Sequence, residues 1–175
     1  MKFIALLRGI NAGRNRRVEM KKLKMVFGML GCANVSTYIN SGNVFFESTM
    51  AQTAIQHKIE KALKNEFGFE IPTLVKTEKE MQQIASAIPA TWQNDTEQRT
   101  DVAYLFREMD SKKIIDELPV IKDMIDVRYV KGAVFWNVIR KNYNKSHLNK
   151  LIGHEIYQFM TVRNINTARF LAGLK

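Results

Sequence analysis

Polar donors gather at three places in this 175-residue chain. The loop "RGINAGRNRR" (8–17) holds Arg8, Gly9, Asn11 and three further arginines. "NSGN" (40–43) holds Asn40, Ser41 and Asn43, and "TVRNINT" (161–167) holds Arg163 and Asn164. Guanidinium and amide groups recognise oxyanions and planar polar ligands by hydrogen bonding alone, without a nucleophile or base. The expected ligand-binding residues are therefore Arg8, Gly9, Asn11, Ser41, Asn43, Arg163 and Asn164, acting without covalent chemistry. A plainer reading stands beside this one. The first stretch can be a strand-to-helix turn with solvated arginines, the second a hairpin tip, and the third a helix start capped by Thr161.

Specific fingerprints are missing. A P-loop needs four residues between its glycines and then Gly-Lys-Ser/Thr, whereas only three residues lie between Gly9 and Gly13 and Arg14 follows. The G-x-G-x-x-G dinucleotide pattern is absent too. Ser41 lies in no G-x-S-x-G elbow and has no histidine or acid close in sequence, so its hydroxyl is expected to support a turn. Cys32 is the single cysteine; it forms no intrachain disulfide and reads as a structural thiol. His147 and His154 would stack two helical turns apart, about 10 Å along the axis. No metal site, cofactor or acid/base pair is expected.

Charge is distributed unevenly. Residues 1–24 carry eight basic and one acidic residue, and residues 128–175 carry nine and one, while residues 25–127 carry ten and fifteen. Basic ends around an acidic middle suggest a positive face for a polyanion, a nucleotide or RNA, or else a merely solvated basic surface. Tyr38, Phe45, Phe46, Tyr129, Phe135 and Trp136 either stack bases or fill a core. The RNP string is absent, although "KGAVFW" (131–136) begins like one, and a helix-covered sheet favours the core. Only five apolar residues separate Lys2 from Arg8, too few for a signal-peptide core or a membrane span. A cytoplasmic protein without a membrane partner is expected; the sequence leaves its oligomeric state open.

The elements that must position these residues follow from periodicity. Residues 3–7 read as a strand. Met20, Leu23, Val26, Phe27 and Leu30 form a helical stripe, with Lys21, Lys22 and Lys24 off it. A hairpin follows at 34–48, with Val35, Thr37 and Ile39 alternating and Ser41-Gly42 at its tip. A helix at 51–65 and a strand at 70–76 complete a ferredoxin-like βαββαβ plan. A connector with a helix at 78–87 leads to a second round: a strand at 102–107, a helix at 111–118, strands at 126–130 and 133–139, and a helix near 146–152. "EIYQF" (155–159) can be a short strand, and residues 161–174 look helical. "GNVFF" (42–46) and "GAVFW" (132–136) are counterparts. The expected fold is α+β: two ferredoxin-like halves, the second less complete, with a C-terminal helix. The boundaries are a half at 1–77, a helical connector at 78–100 and a second half at 101–175.

Three strings, "LLRGINAG" (6–13), "TYINSGNVFFES" (37–48) and "TVRNINTARFL" (161–171), together resemble the bacterial domain-of-unknown-function family 1697. The resemblance runs the length of the chain and implies paired ferredoxin-like halves. Its usual opening is "RGINVGG"; here Ala12 and Arg14 replace the valine and second glycine. It implies no activity, cofactor or catalytic residue. The residues themselves favour non-covalent binding of an anionic ligand. The alternatives are an enzyme acting on a small phosphorylated or carboxylated metabolite, and a protein-interaction module or homodimer.

Overall fold

An unbroken apolar run asks for a strand covered on both faces, and β1 (Lys2–Leu7) is buried from Phe3 to Leu7. The computed structural model describes residues 1–174 and divides the chain into two units after Lys79. In the first unit β1 is followed by α1 (Met20–Met29), β2 (Ala33–Tyr38), β3 (Asn43–Glu47), α2 (Gln52–Phe67) and β4 (Thr73–Thr77). The strands form an antiparallel sheet in the order β2-β3-β1-β4, with Ala5 of β1 opposite both Val44 and Val75.

Alternation along these strands sends Phe3, Ala5, Leu7, Val44, Phe46 and Val75 to one core. There they meet Leu23, Val26 and Phe27 of α1 and Ile55, Ile59 and Leu63 of α2. Phe46 stacks on Phe3 at 5.5 Å and meets Phe27 edge-on at 5.1 Å. Each large side chain buried in this way contributes about 1.5–3 kcal/mol.

Two local features shape the sheet's margins. In the hairpin turn, Gly42 takes φ 77°, and a Cβ there would lie 2.7 Å from Leu7 Cβ and 2.8 Å from Ile10 Cδ1. Only glycine lets the turn press against the end of β1. Ile39, expected on the strand, belongs to this turn, with φ 49° and half its surface exposed. On the edge strand β2, pairing with β3 slips between Ala33 and Ser36, where Asn34 takes φ 51°. That irregularity is a bulge.

Next, α3 (Glu78–Ser86) leads the chain into the second unit. There follow β5 (Gln98–Leu105), α4 (Ile114–Glu117), β6 (Asp126–Val130), β7 (Ala133–Ile139), β8 (Met160–Asn164) and α5 (Ile165–Leu171). The antiparallel order β6-β7-β5-β8 repeats the permutation of the first sheet. The chain is thus an α+β protein of two ferredoxin-like halves with a C-terminal helix.

Its second half is reduced in its helices. The helix expected at 111–118 shrinks to the four residues of α4. The one expected near 146–152 is a 3₁₀ segment, Leu148–Gly153. His147 precedes it at φ 67°, a left-handed conformation that an α-helix does not propagate through. "EIYQF" is a second 3₁₀ turn, Glu155–Phe159, rather than a strand. These short segments still deliver Ile114, Leu118, Leu148, Leu151 and Ile156 onto Ala103, Leu105, Val134, Trp136 and Val138 of the sheet.

The C-terminal segment differs from expectation as well. Thr161 is no helix cap; it lies inside β8, opposite Tyr104. The cap of α5 is Asn164, whose Oδ1 accepts from the Thr167 amide at 2.9 Å. From α5, Arg169 reaches the 89–93 segment and donates to the Trp92 carbonyl at 2.9 Å and to Gln93 Oε1 at 3.3 Å.

Candidate functional site

Five of the seven expected ligand-binding residues belong to the first unit, and β-pairing brings them to one end of its sheet. Leu6 of β1 stands opposite Asn43, so the loop that begins at Arg8 and the hairpin tip of residues 39–42 leave the sheet side by side. Backbone hydrogen bonds fix the junction: the Leu7 amide donates to the Gly42 carbonyl at 2.8 Å and the Arg8 amide to the Pro72 carbonyl at 2.9 Å. Gly9, exposed and at φ 68°, turns the chain away from the sheet.

The asparagines hold this corner together. Asn11 donates through Nδ2 to the Val18 carbonyl at 3.0 Å and to the Asn40 carbonyl at 2.9 Å. Its Oδ1 accepts from the Val18 amide at 2.8 Å, and its own amide donates to the Arg16 carbonyl. One side chain thus closes the 11–18 loop and ties it to the hairpin. Asn43, fully buried, donates through Nδ2 to the Tyr38 carbonyl at 3.0 Å and to Ser41 Oγ at 2.9 Å. Ser41 therefore supports the turn. Arg16 is engaged too, with its guanidinium 5.0 Å over the Phe69 ring and donating to the Glu70 carbonyl.

Beside this corner lies a cleft of about 800 Å³, lined by Asn11, Asn40, Arg17, Lys21, Lys22 and Phe67, among others. Its floor includes the start of α1. Glu19 occupies the N-cap position with extended backbone and makes no side-chain cap, so the amides of the first turn have no side-chain acceptor there. Their partial positive charge adds to the exposed cations Arg17, Lys21 and Lys22. Glu19 is the one acid in the lining, and the half-buried Phe67 is its aromatic wall. Sequence reasoning did not count Arg17, Lys21, Lys22 or Phe67 among the ligand-binding residues. The available signal was that Lys21 and Lys22 fall off the apolar stripe of α1 within a strongly basic N-terminal segment.

Arg163 and Asn164 belong to the second unit and point to opposite faces of β8. Asn164 is exposed and caps α5. Arg163 is only 8% exposed and donates through Nη1 to Thr161 Oγ1 and to the Val162 carbonyl, both at 2.9 Å. Burial lowers its pKa to about 10, so it stays charged at neutral pH. The fully buried Tyr104 phenol nearby has its pKa pushed up, chiefly by burial. Phe46, Phe135 and Trp136 are core residues, whereas Tyr38, Phe45 and Tyr129 are half-buried.

Among the described residues, no group of three His, Cys, Asp or Glu is placed to hold a metal ion. No described helix is long and apolar enough to cross a membrane. Cys32 is buried, and burial raises its thiol pKa, as expected of a structural cysteine.

Comparison with known proteins agrees with this architecture. No curated protein matches the chain. A solved structure, that of the conserved bacterial protein SP0830 from Streptococcus pneumoniae, superposes with a TM-score of 0.86. The alignment covers 98% of this chain and 97% of that one at 24% identity, which makes the fold common to both. The family model described as "Protein of unknown function (DUF1697)" matches residues 1–136, and the chain belongs to that family.

Proposed function

We propose that the protein binds a phosphate-bearing ligand, a nucleotide or an RNA strand, in the cleft at the start of α1, without covalent chemistry. The observation that carries this reading is the convergence of Arg17, Lys21 and Lys22 on an 800 Å³ cleft that includes an uncapped helix N-terminus. Ligand pockets commonly measure about 300–1,000 Å³, so the cleft has room for a nucleotide-sized guest. Phosphate oxygens match the cations and the first-turn amides. Phe67 offers a ring face on which a base can stack, and the Glu19 carboxylate accepts from donors such as ribose hydroxyls. Together these features support a nucleotide-like guest over bare inorganic phosphate.

Fluorescence anisotropy with single-stranded RNA, together with nucleotide competition, tests the reading across a salt series. Log affinity should fall with log salt by about 0.7 per phosphate neutralised. The combined variant Arg17→Ala, Lys21→Ala, Lys22→Ala should therefore flatten that slope by about 2. Absence of binding at low salt, or a slope unchanged in the triple variant, would refute the proposal.

A further inference from the structure

We propose that the second unit holds a separate recognition pocket for a neutral planar group that carries an N–H beside a C=O, the edge of a carboxamide or a lactam. The pocket lies at the margin of the face of β5 and β7 that the 3₁₀ segments cover, and is lined by Arg99, Asp101, Trp136, Tyr143, Leu151 and Ile152, among others. Its volume is about 70 Å³. Liquid water occupies about 30 Å³ per molecule, so the space suits a carboxamide-sized group or the corner of a larger ring.

Its polar groups are unusually well fixed. Arg99 donates through Nε to Asp101 Oδ2 at 2.7 Å, and its guanidinium lies 4.5 Å over the Tyr143 ring. The Asp101 side chain is only 7% exposed, and among the described residues no other hydrogen bond reaches either side chain. The ion pair and the ring therefore orient a guanidinium edge and a second carboxylate oxygen whose hydrogen-bonding capacity is still open. Trp136 is 2% exposed, and its Nε1 is buried without a protein hydrogen-bond partner. An indole N–H can only donate, and leaving it unsatisfied costs about 1–3 kcal/mol.

These groups specify the guest. Trp136 Nε1 and the Arg99 edge require an acceptor, while the second oxygen of Asp101 requires a donor. A carboxylate guest would meet the Asp101 carboxylate in a poorly hydrated site, and an ammonium would meet Arg99. A neutral amide-type edge satisfies donors and acceptor together. Arg99, one-third exposed, and Ile152, 68% exposed, form the rim through which the rest of a larger molecule would extend.

Trp136 also supplies the readout. The full chain, labelled with ¹⁵N, is titrated with acetamide, uracil and acetate while its two indole N–H resonances are followed. Trp136→Phe assigns the signal, and Trp92→Phe assigns it by elimination if the first variant does not fold. Acetamide or uracil should shift the Trp136 resonance saturably and leave Trp92 unmoved. Whichever guest saturates it distinguishes a carboxamide from a nucleobase source. Acetate should bind about tenfold more weakly because of its like charge. Asp101→Asn should weaken the neutral guest by about tenfold, as expected for losing a charge-assisted hydrogen bond. A Trp136 resonance unmoved by both neutral guests, or moved as readily by acetate, overturns the proposal.

Discussion

Asn11 shows how one side chain can carry a corner of a fold. Its amide donates to two carbonyls and accepts from one amide, and its backbone sits at φ 55°, where asparagine is tolerated better than most residues. Asn11→Ala should destabilise the protein by about 1–3 kcal/mol, read as a lower urea midpoint at unchanged m-value. Asn11→Asp should fare no better, because a carboxylate cannot donate to the Val18 and Asn40 carbonyls. An Asn11→Asp variant as stable as the parent would show that the Nδ2 contacts are energetically idle. At this scale the sequence was only partly legible. Asn11 and Asn43 were expected to serve ligands, since amide groups at a loop and a hairpin tip suit that role. In the fold their partners are backbone carbonyls, the Val18 amide and a hydroxyl, and no spacing rule identifies those.

At the scale of elements, strands were read more faithfully than helices. The strands at 126–130 and 133–139 coincide with β6 and β7, because Lys131-Gly132 marks the turn and the flanking residues alternate. Strand β8 was missed because Thr161 and Arg163 are both buried, so polarity gave no hint of a strand there. The 3₁₀ segment at Leu148–Gly153 escaped because its apolar spacing resembles that of a helix, while left-handed residues such as His147 are invisible to periodicity. Docking of α5 rests heavily on one side chain, since Arg169 bonds to the Trp92 carbonyl, Gln93 Oε1 and the carbonyls of Pro89 and Ala90. Arg169→Ala should cost about 1.5–3 kcal/mol, typical of bonds to a charged group. It should also speed amide exchange in residues 89–93 ahead of the β5–β7 ladder. Uniform acceleration across the second unit would instead mean that this segment has no independent opening.

Across the whole molecule, the same sheet permutation occurs twice with unequal helical cover, and the order of elements made that duplication readable before the packing was known. Charge acts at this scale too. A net charge of +10 is self-repelling, and the Debye length falls from about 30 Å at 0.01 M salt to about 8 Å at 0.15 M. The melting temperature should therefore rise between those two salt concentrations in sodium chloride. A flat or falling trend in differential scanning calorimetry would mean that local ion pairs outweigh the global repulsion. Like charge also opposes stacking of strands from other copies, and the bulge on β2 acts in the same direction by other means. An incoming strand would need a straight row of amides and carbonyls to extend the sheet from that side, and Asn34 interrupts the row. Deleting Asn34 would straighten the margin into a template, and resistance to fibril growth at high protein concentration and high salt would then depend on the charges alone.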